Sequence, residues 1–291
     1  AFIVLVRGTD PASVENIRRV ALITTTFNFV TSLALWTTFD PAEPSFQFVE
    51  KTTWIAGLAN YHLGVDGISM PFVALVAGLM PFCVLASYTQ IKDRVRQFMV
   101  ALLVLETLLI GAFCALDLVL FYIFFAGSTL PLLVLIGGWG GVRRISAAYK
   151  YFQFALASSG VLLLSLIALF FAGETSDIVA LRDLAFPAAM QRWLWLALFF
   201  AFAISMALWP VHTWMIDAVA EAPAAAAALV IAVGVKLGFY GFARLVLPLF
   251  PDASADLGWL GLALGCLTIG AGSLLALVQR DLMKMIAYAS M

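Results

Sequence analysis

Charge is what this chain has least of. Only 11% of its 291 residues are Asp, Glu, Lys or Arg, against about a quarter in soluble domains, and the acidic and basic side chains nearly cancel to a formal −1. That balance offers no electrostatic case for a nucleic-acid partner or an acidic one. Histidine is reduced to His62 and His212, and the three cysteines, Cys83, Cys114 and Cys266, fall in or at the ends of apolar runs without a CxxC spacing or a nearby His pair. They read as small apolar packing residues. There is no GxGxxG after a strand, no Walker lysine and no HExxH, so no cofactor or metal site is expected in the chain itself.

What the chain has instead is hydrophobic length. With 64% hydrophobic residues, well above the roughly 45–50% of soluble domains, it reads as an integral membrane protein. Apolar stretches long enough to cross the hydrocarbon core run over 20–38, 68–88, 98–115, 117–138, 149–172, 192–209, 223–248 and 257–278, after a stub at 1–6 and before another run starting near Leu282. Continuous segments of this length span as helices rather than barrel strands. The expected fold is therefore all-α, a polytopic transmembrane helical bundle forming a single membrane domain. The opening at Ala1 without Met, and the end at Met291 just inside an apolar run, read as two cut ends.

Basic residues set the expected orientation. If the stub runs from outside to inside, the inner loops hold Arg7, Arg18, Arg19, Lys92, Arg94, Arg96, Arg143, Arg144, Lys150, Arg280 and Lys284, whereas the outer loops and span ends hold only Lys51, Arg182, Arg192 and Arg244. The long acidic connections 39–67 and 173–191 then lie outside. Asp66, Asp117, Arg143 and Arg144 sit at interfaces and read as helix-end anchors.

Two charges break the rule of apolar spans. Lys236 lies in the middle of the run from Pro223 to Leu247, and Glu106 lies mid-span in Leu103-Val104-Leu105-Glu106-Thr107-Leu108. An ionisable group at bilayer depth costs a few kcal/mol and usually marks an ion or proton path. Lys236 is thus a candidate proton carrier, or else a lysine that snorkels to a cavity or pairs with Glu106. Glu106 is a candidate proton-path carboxylate, or a protonated acid bonded to a neighbouring helix. A third feature is the polar, aromatic stretch Trp209-Pro210-Val211-His212-Thr213-Trp214 leading into Asp217, Glu221 and Pro223. Irregular backbone of this kind at membrane depth lines a wet cavity or is buried in protein; the alternative is an inner loop with an aromatic belt. His212 titrates near neutrality and can pass protons through either nitrogen, or bridge loop backbone. Asp217 and Glu221 either form an acidic inner-side entry or are simply solvated.

These residues carry a resemblance. Gly64-Val65-Asp66-Gly67-Ile68-Ser69, Leu116-Asp117-Leu118-Val119-Leu120-Phe121-Tyr122, Gly138-Trp139-Gly140-Gly141, Trp209 to Trp214, Glu221-Ala222-Pro223, Lys236-Leu237-Gly238, Tyr240-Gly241-Phe242 and Asp281 to Ser290 resemble, in order and spacing, the antiporter-like membrane subunits of respiratory complex I, above all the chain-M (chain-4) kind. The resemblance covers essentially the whole chain and about the first two-thirds of a fourteen-span family member. It implies two inverted repeats of five helices, each with a discontinuous helix, and a role in proton translocation. On that pattern 68–209 holds first-repeat helices, 210–222 the broken segment, and 223–291 spans leading toward a truncated second repeat. It also implies a bacterial inner membrane, other membrane-arm subunits of complex I as partners alongside the lipid bilayer, and FMN, iron–sulfur clusters and quinone held by those partners.

The chain departs from the family where the family moves protons. The resemblance places a glutamate in Phe124-Phe125-Ala126-Gly127 at Ala126, and a lysine in Ile204-Ser205-Met206 at Ser205; both are missing here. Loss of both is physically coherent, because removing one member of a buried pair strands a charge at about 3–5 kcal/mol, whereas replacing both can be neutral. Ala207, Ile216 and Val219 stand where the family has proline, proline and histidine, and Ala224 to Ala228 replace a polar stretch. The scaffold motifs stay close, which reads as a first half-channel altered by divergence or by design. Lys236 matches the family's eighth-helix lysine, whose like-charged partner would stand at 205. The rival functional readings are a structural spacer that moves nothing and a subunit of a multi-subunit cation/proton antiporter.

Overall fold

The computed structural model describes residues 11–43 and 45–291; the stub at 1–6 and Arg7 lie outside the described residues. Among these residues, eight helices are long and apolar enough to cross a membrane, one for each of the eight full-length runs read from the sequence. They are α1 (Pro11–Thr38), α2 (Ser69–Gln90), α3 (Val95–Cys114), α4 (Leu118–Trp139), α5 (Arg144–Gly173), α7 (Ala188–Ser205), α9 (Ala224–Leu249) and α10 (Pro251–Val278). Three short helices complete the set: α6 (Ile178–Arg182), α8 (Thr213–Glu221) and α11 (Leu282–Ala289). Several helices begin before their apolar runs, since their first turns are polar. The first turns of α1, for example, carry Glu15, Arg18 and Arg19.

Capping explains the sharpest boundaries. Asp117 accepts from the Val119 and Leu120 amides to start α4, Asp177 does the same for Val179 and Ala180 of α6, and Asp281 for Met283 and Lys284 of α11, satisfying amides that would otherwise be orphaned. Helix α9 is not uniform. Two π-helical turns, Val230–Gly234 and Phe242–Val246, bracket the α-helical piece Val235–Gly241 that carries Lys236.

The connection 39–67 is not an extended loop. It folds as an antiparallel hairpin of β1 (Gln47–Ile55) and β2 (Ala59–Val65), which lies against the start of α4. Leu116 N donates to His62 O (2.9 Å), Ile178 N to Leu116 O (2.9 Å) and Leu118 N to Ser176 O (2.8 Å). Asp117 also accepts from Asn60 N at 3.0 Å and from the Ser176 hydroxyl. Asp177 receives the Lys51 ammonium at 2.6 Å, and His62 Nδ1 stands 3.4 Å from the same oxygen without hydrogen-bond geometry.

One ion pair ties this end together across the chain. Arg244, 2% exposed in α9, donates from both terminal nitrogens to Asp66 at 2.8 and 2.7 Å, and from Nε to the Tyr240 hydroxyl at 3.1 Å. Tyr240 in turn donates to Phe113 O at 2.7 Å. Burial alone would raise the Asp66 carboxyl, but the Arg244 guanidinium and the Ser69 amide and hydroxyl overcome it and hold the group below its ordinary value. At the opposite end Arg18 reaches Ile91 O (2.8 Å), Arg94 reaches Gly138 O (2.8 Å) and the Gln90 side chain accepts from Ala224 N (3.0 Å).

Breaking the fork from one side strands a guanidinium that has almost no access to water. Asp66→Ala should therefore destabilise the bundle by about 3–5 kcal/mol, while Asp252→Ala, at a solvent-exposed helix start, should cost far less; chemical unfolding in detergent, followed by tryptophan fluorescence, measures both.

Candidate functional site: the helix break between α7 and α8

Helix α7 ends at Ser205, four residues before the Trp-Pro-Val-His motif. The chain turns through residues 206–212, with Ala207 in the left-handed region at φ 54°, and resumes as α8. Several of the backbone groups at the break have partners. Met206 N returns to Phe202 O (2.7 Å) and Leu208 N to Ala203 O (3.0 Å). Trp209 N donates to Thr268 Oγ1 of α10 (2.9 Å), and the Trp214 indole N–H comes back from α8 to Ile204 O (2.9 Å). This is the satisfied irregularity that protein interiors permit at membrane depth.

Ser205 lines a cavity of about 50 Å³ together with the hydroxyl residues Ser128, Thr129, Tyr151 and Ser158 and with Phe125, Leu132, Trp214, Gly234 and Leu237. No charged side chain lines it among the described residues. Ser158 donates to Ala201 O at 2.8 Å and lies 2.9 Å from Ser205 Oγ, so with its proton committed to the carbonyl it is the acceptor of the Ser205 hydroxyl. The space suffices for a few water molecules, and its polar lining gives such waters partners. α9 closes one wall because it carries no side chain at Gly238: a Cβ there would lie 2.9 Å from both Met206 N and Ser205 Cβ.

The other predicted residues are dispersed. Ala126 is half-buried beside the lining Phe125 but does not itself line the cavity. Lys236 is half-buried in α9, outside the lining, and its ammonium donates to Ile231 O at 2.7 Å, a carbonyl in the first π-helical turn. Glu106 is buried in α3, 4% exposed, and accepts from Asn28 Nδ2 of α1 at 2.6 Å. The Lys236–Glu106 pairing weighed above is thus not formed, and each has its own partner.

The acidic residues after the break hold helices together. Asp217 binds Lys150 of α5 at 2.7 Å. The Glu221 carbonyl accepts from Gly141 N at 2.8 Å, and its carboxylate accepts from Arg143 N at 2.9 Å and faces Arg143 Nε at 3.4 Å. A Cβ on Gly140 would lie 2.7 Å from the backbone oxygen of Glu221 and closer still to that of Ile136, which accounts for the first glycine of the Trp-Gly-Gly motif. Both carboxylates are therefore engaged rather than merely solvated. His212 is buried, its Nδ1 without a hydrogen-bond partner among the described residues and its ring 6.2 Å from that of Tyr288 in α11.

Sequence reasoning missed the uncharged half of the site. Ser158, Ser128, Thr129 and Tyr151 complete the cavity, and Asn28 serves Glu106. Hydroxyl and amide side chains inside apolar runs were the available signal, because a polar atom at that depth needs a partner.

Burial lowers the His212 imidazole below its ordinary 6.5, with Lys150 adding to the effect, and burial lowers His62 against the pull of Asp177. The folded protein thus binds these two protons less readily than the unfolded chain, which takes them up below 6.5, so stability is present above that pH and is lost as pH falls through it. The unfolding midpoint in detergent should drop between about pH 7 and pH 5, in the range where histidine titrates, and the double substitution His62→Gln and His212→Gln should flatten that drop.

The comparisons with known proteins agree along the whole chain. Residues 17–112 match the family model for the NADH-ubiquinone oxidoreductase chain 4 amino terminus, and residues 115–291 the model for the NADH:quinone oxidoreductase/Mrp antiporter transmembrane region. NADH-quinone oxidoreductase subunit M of Rhodobacter capsulatus is 44% identical over 99% of this chain, and NADH-ubiquinone oxidoreductase chain 4 of Arabidopsis thaliana 38% identical over 95%. The chain spans 58% and 56% of those relatives' lengths. Among solved structures, respiratory complex I from Thermus thermophilus with bound NADH matches with a TM-score of 0.85 and 26% identity over 94% of this chain and 57% of that one. The Mrp complex from Dietzia shares the fold, with a TM-score of 0.82 at 21% identity over 95% of this chain and 52% of that one. With the antiporter-like fold, the broken helix and both halves of the sequence in agreement, this chain belongs to the family of NADH-quinone oxidoreductase subunit M, or chain 4.

Proposed function

We propose that the chain serves as a membrane-arm subunit of a proton-translocating NADH:quinone oxidoreductase in which the first half-channel has been altered. In this reading the Arg- and Lys-rich end faces the cytoplasm across a bacterial inner membrane, and the spans from Ser69 to Ser205 belong to the first repeat. Other membrane-arm subunits are the partners, and those partners hold the FMN, iron–sulfur clusters and quinone. The chain's own contribution is translocation and scaffold, without redox chemistry.

The observation that carries the altered-channel reading is the cavity at Ser205, lined by hydroxyls and no charge. Serine and threonine hydroxyls with a few waters can pass a proton along a hydrogen-bonded file, because each oxygen both donates and accepts. They cannot change their charge at accessible pH. A relay that moves a proton by repulsion needs two groups that titrate within range of each other, and at this end of the relay only Ser205 stands beside Ser158. Lys236 has thus lost the like-charged partner that would move its proton, and its ammonium donates to Ile231 O. His212, Asp217 and Glu221 lie on the side from which protons would enter, and Glu106 lies apart from the cavity as a separate carboxylate.

A scaffold-only reading has one observation in its favour: the Lys236 ammonium bonds to backbone rather than facing the cavity. One experiment decides between them. The assembled oxidoreductase is reconstituted into vesicles, and protons moved per electron pair are counted. The altered-channel reading expects a lower stoichiometry than the Ala126→Glu, Ser205→Lys variant gives, and a further fall on Lys236→Ala. Equal stoichiometry in the first comparison overturns the altered channel; Lys236→Ala leaving both pumping and assembly intact supports the scaffold.

A further inference from the structure

On the surface of the bundle, away from the helix break, α3 and α4 part to form a groove of about 610 Å³. Its walls are two stripes, Val100, Ala101, Val104 and Leu108 on α3 and Gly127, Leu130, Pro131 and Val134 on α4, and only Arg96 and Gln97 at one end are polar. Val104, Leu130 and Val134 are 45%, 59% and 50% exposed, so the groove opens outward from the bundle. We propose that it binds a membrane phospholipid with an anionic headgroup, one acyl chain lying between the stripes and the phosphate at Arg96.

Three observations select that occupant. The first is length: Arg96 and Leu108 are twelve residue steps apart, about 18 Å of helix at 1.5 Å per step, close to the roughly 15 Å depth of one leaflet's hydrocarbon. The groove therefore begins at an interface and ends near the midplane, as an acyl chain does. The second is the one-ended polarity. A partner helix of uniform character would meet polar or small residues along its whole length, whereas here all polarity is at the mouth. The third is charge. The exposed turn at that mouth carries Lys92, Arg94 and Arg96 against the single acid Asp93, and this turn is fixed in place: the Trp139 indole donates to Asp93 O at 2.8 Å while the Arg94 guanidinium stacks 4.9 Å over the Trp139 ring. The groove is deepened for a local reason as well. Gly127 and Ala101 offer almost no side chain, and proline at 131 cannot donate to the Gly127 carbonyl one turn earlier.

The test uses the full chain in phosphatidylcholine vesicles doped with either of two photoactivatable lipids, phosphatidylglycerol or phosphatidylcholine, with the same diazirine acyl chain. The expected result is labelling of peptides within 97–108 and 127–134, stronger for phosphatidylglycerol by about fivefold, the factor that one basic residue near a surface supplies. Arg96→Gln should bring the two lipids to parity, and Val104→Trp, which fills the groove from an exposed position, should suppress labelling by both. Equal labelling in the unmodified chain, label confined to other helices, or indifference to Val104→Trp overturns the proposal. So does the assembled complex excluding lipid from the groove while cross-linking it to another subunit.

Discussion

A backbone group released from its helix at membrane depth has no water to turn to, and the architecture is arranged around meeting that demand. At the α7–α8 break side chains supplement the irregular backbone: the Trp214 indole donates to the Ile204 carbonyl, Ser158 donates to the Ala201 carbonyl while its oxygen serves as an acceptor, and a threonine of α10 accepts from the Trp209 amide. In α9 the Ile231 carbonyl is met by the Lys236 ammonium. Side chains that look like functional outliers in the sequence are thus also the means by which the irregular backbone is tolerated.

The charged residues outside the spans divide by end. At the hairpin end, Asp66, Asp117 and Asp177 each collect several donors and bind together segments far apart in the chain. At the opposite end, Glu221 and Asp217 clamp α8 to the α4–α5 turn and to α5. The break is held from both sides by these contacts, so the short helix α8 is a fixed part of the bundle rather than a loose connection. The hydroxyl cavity sits between rigid walls.

The spans were legible because a helix must carry some twenty apolar residues to cross hydrocarbon, and composition reports that directly. The hairpin was not, because nearly all of β1 is exposed and its sequence Gln47–Ile55 shows no alternation of buried and open positions. The break was legible from Pro210 and its polar neighbours, yet its start was placed too late; the helix stops at Ser205 because the turn needs Ala207 at positive φ, a conformation alanine does not advertise. Of the cavity lining, Ser205 stood out through the motif beside it, whereas Lys236, which stood out through its charge, lies outside that lining. Ser158 and Asn28 were passed over because a search for charge ignores neutral donors.

The two π-helical turns in α9 have a geometric consequence. Each holds about one residue more than an α-helical turn, so each advances everything after it by roughly 100° about the axis. The stretch from Ala224 to Leu249 is therefore three helices in different phase, and a single 3.6-residue wheel drawn through it would assign the wrong faces. Cutting one residue from Val230–Gly234 would let that turn relax to ordinary α pitch and would swing Lys236, Gly238 and Arg244 together by a little over a quarter revolution relative to the alanines at its start.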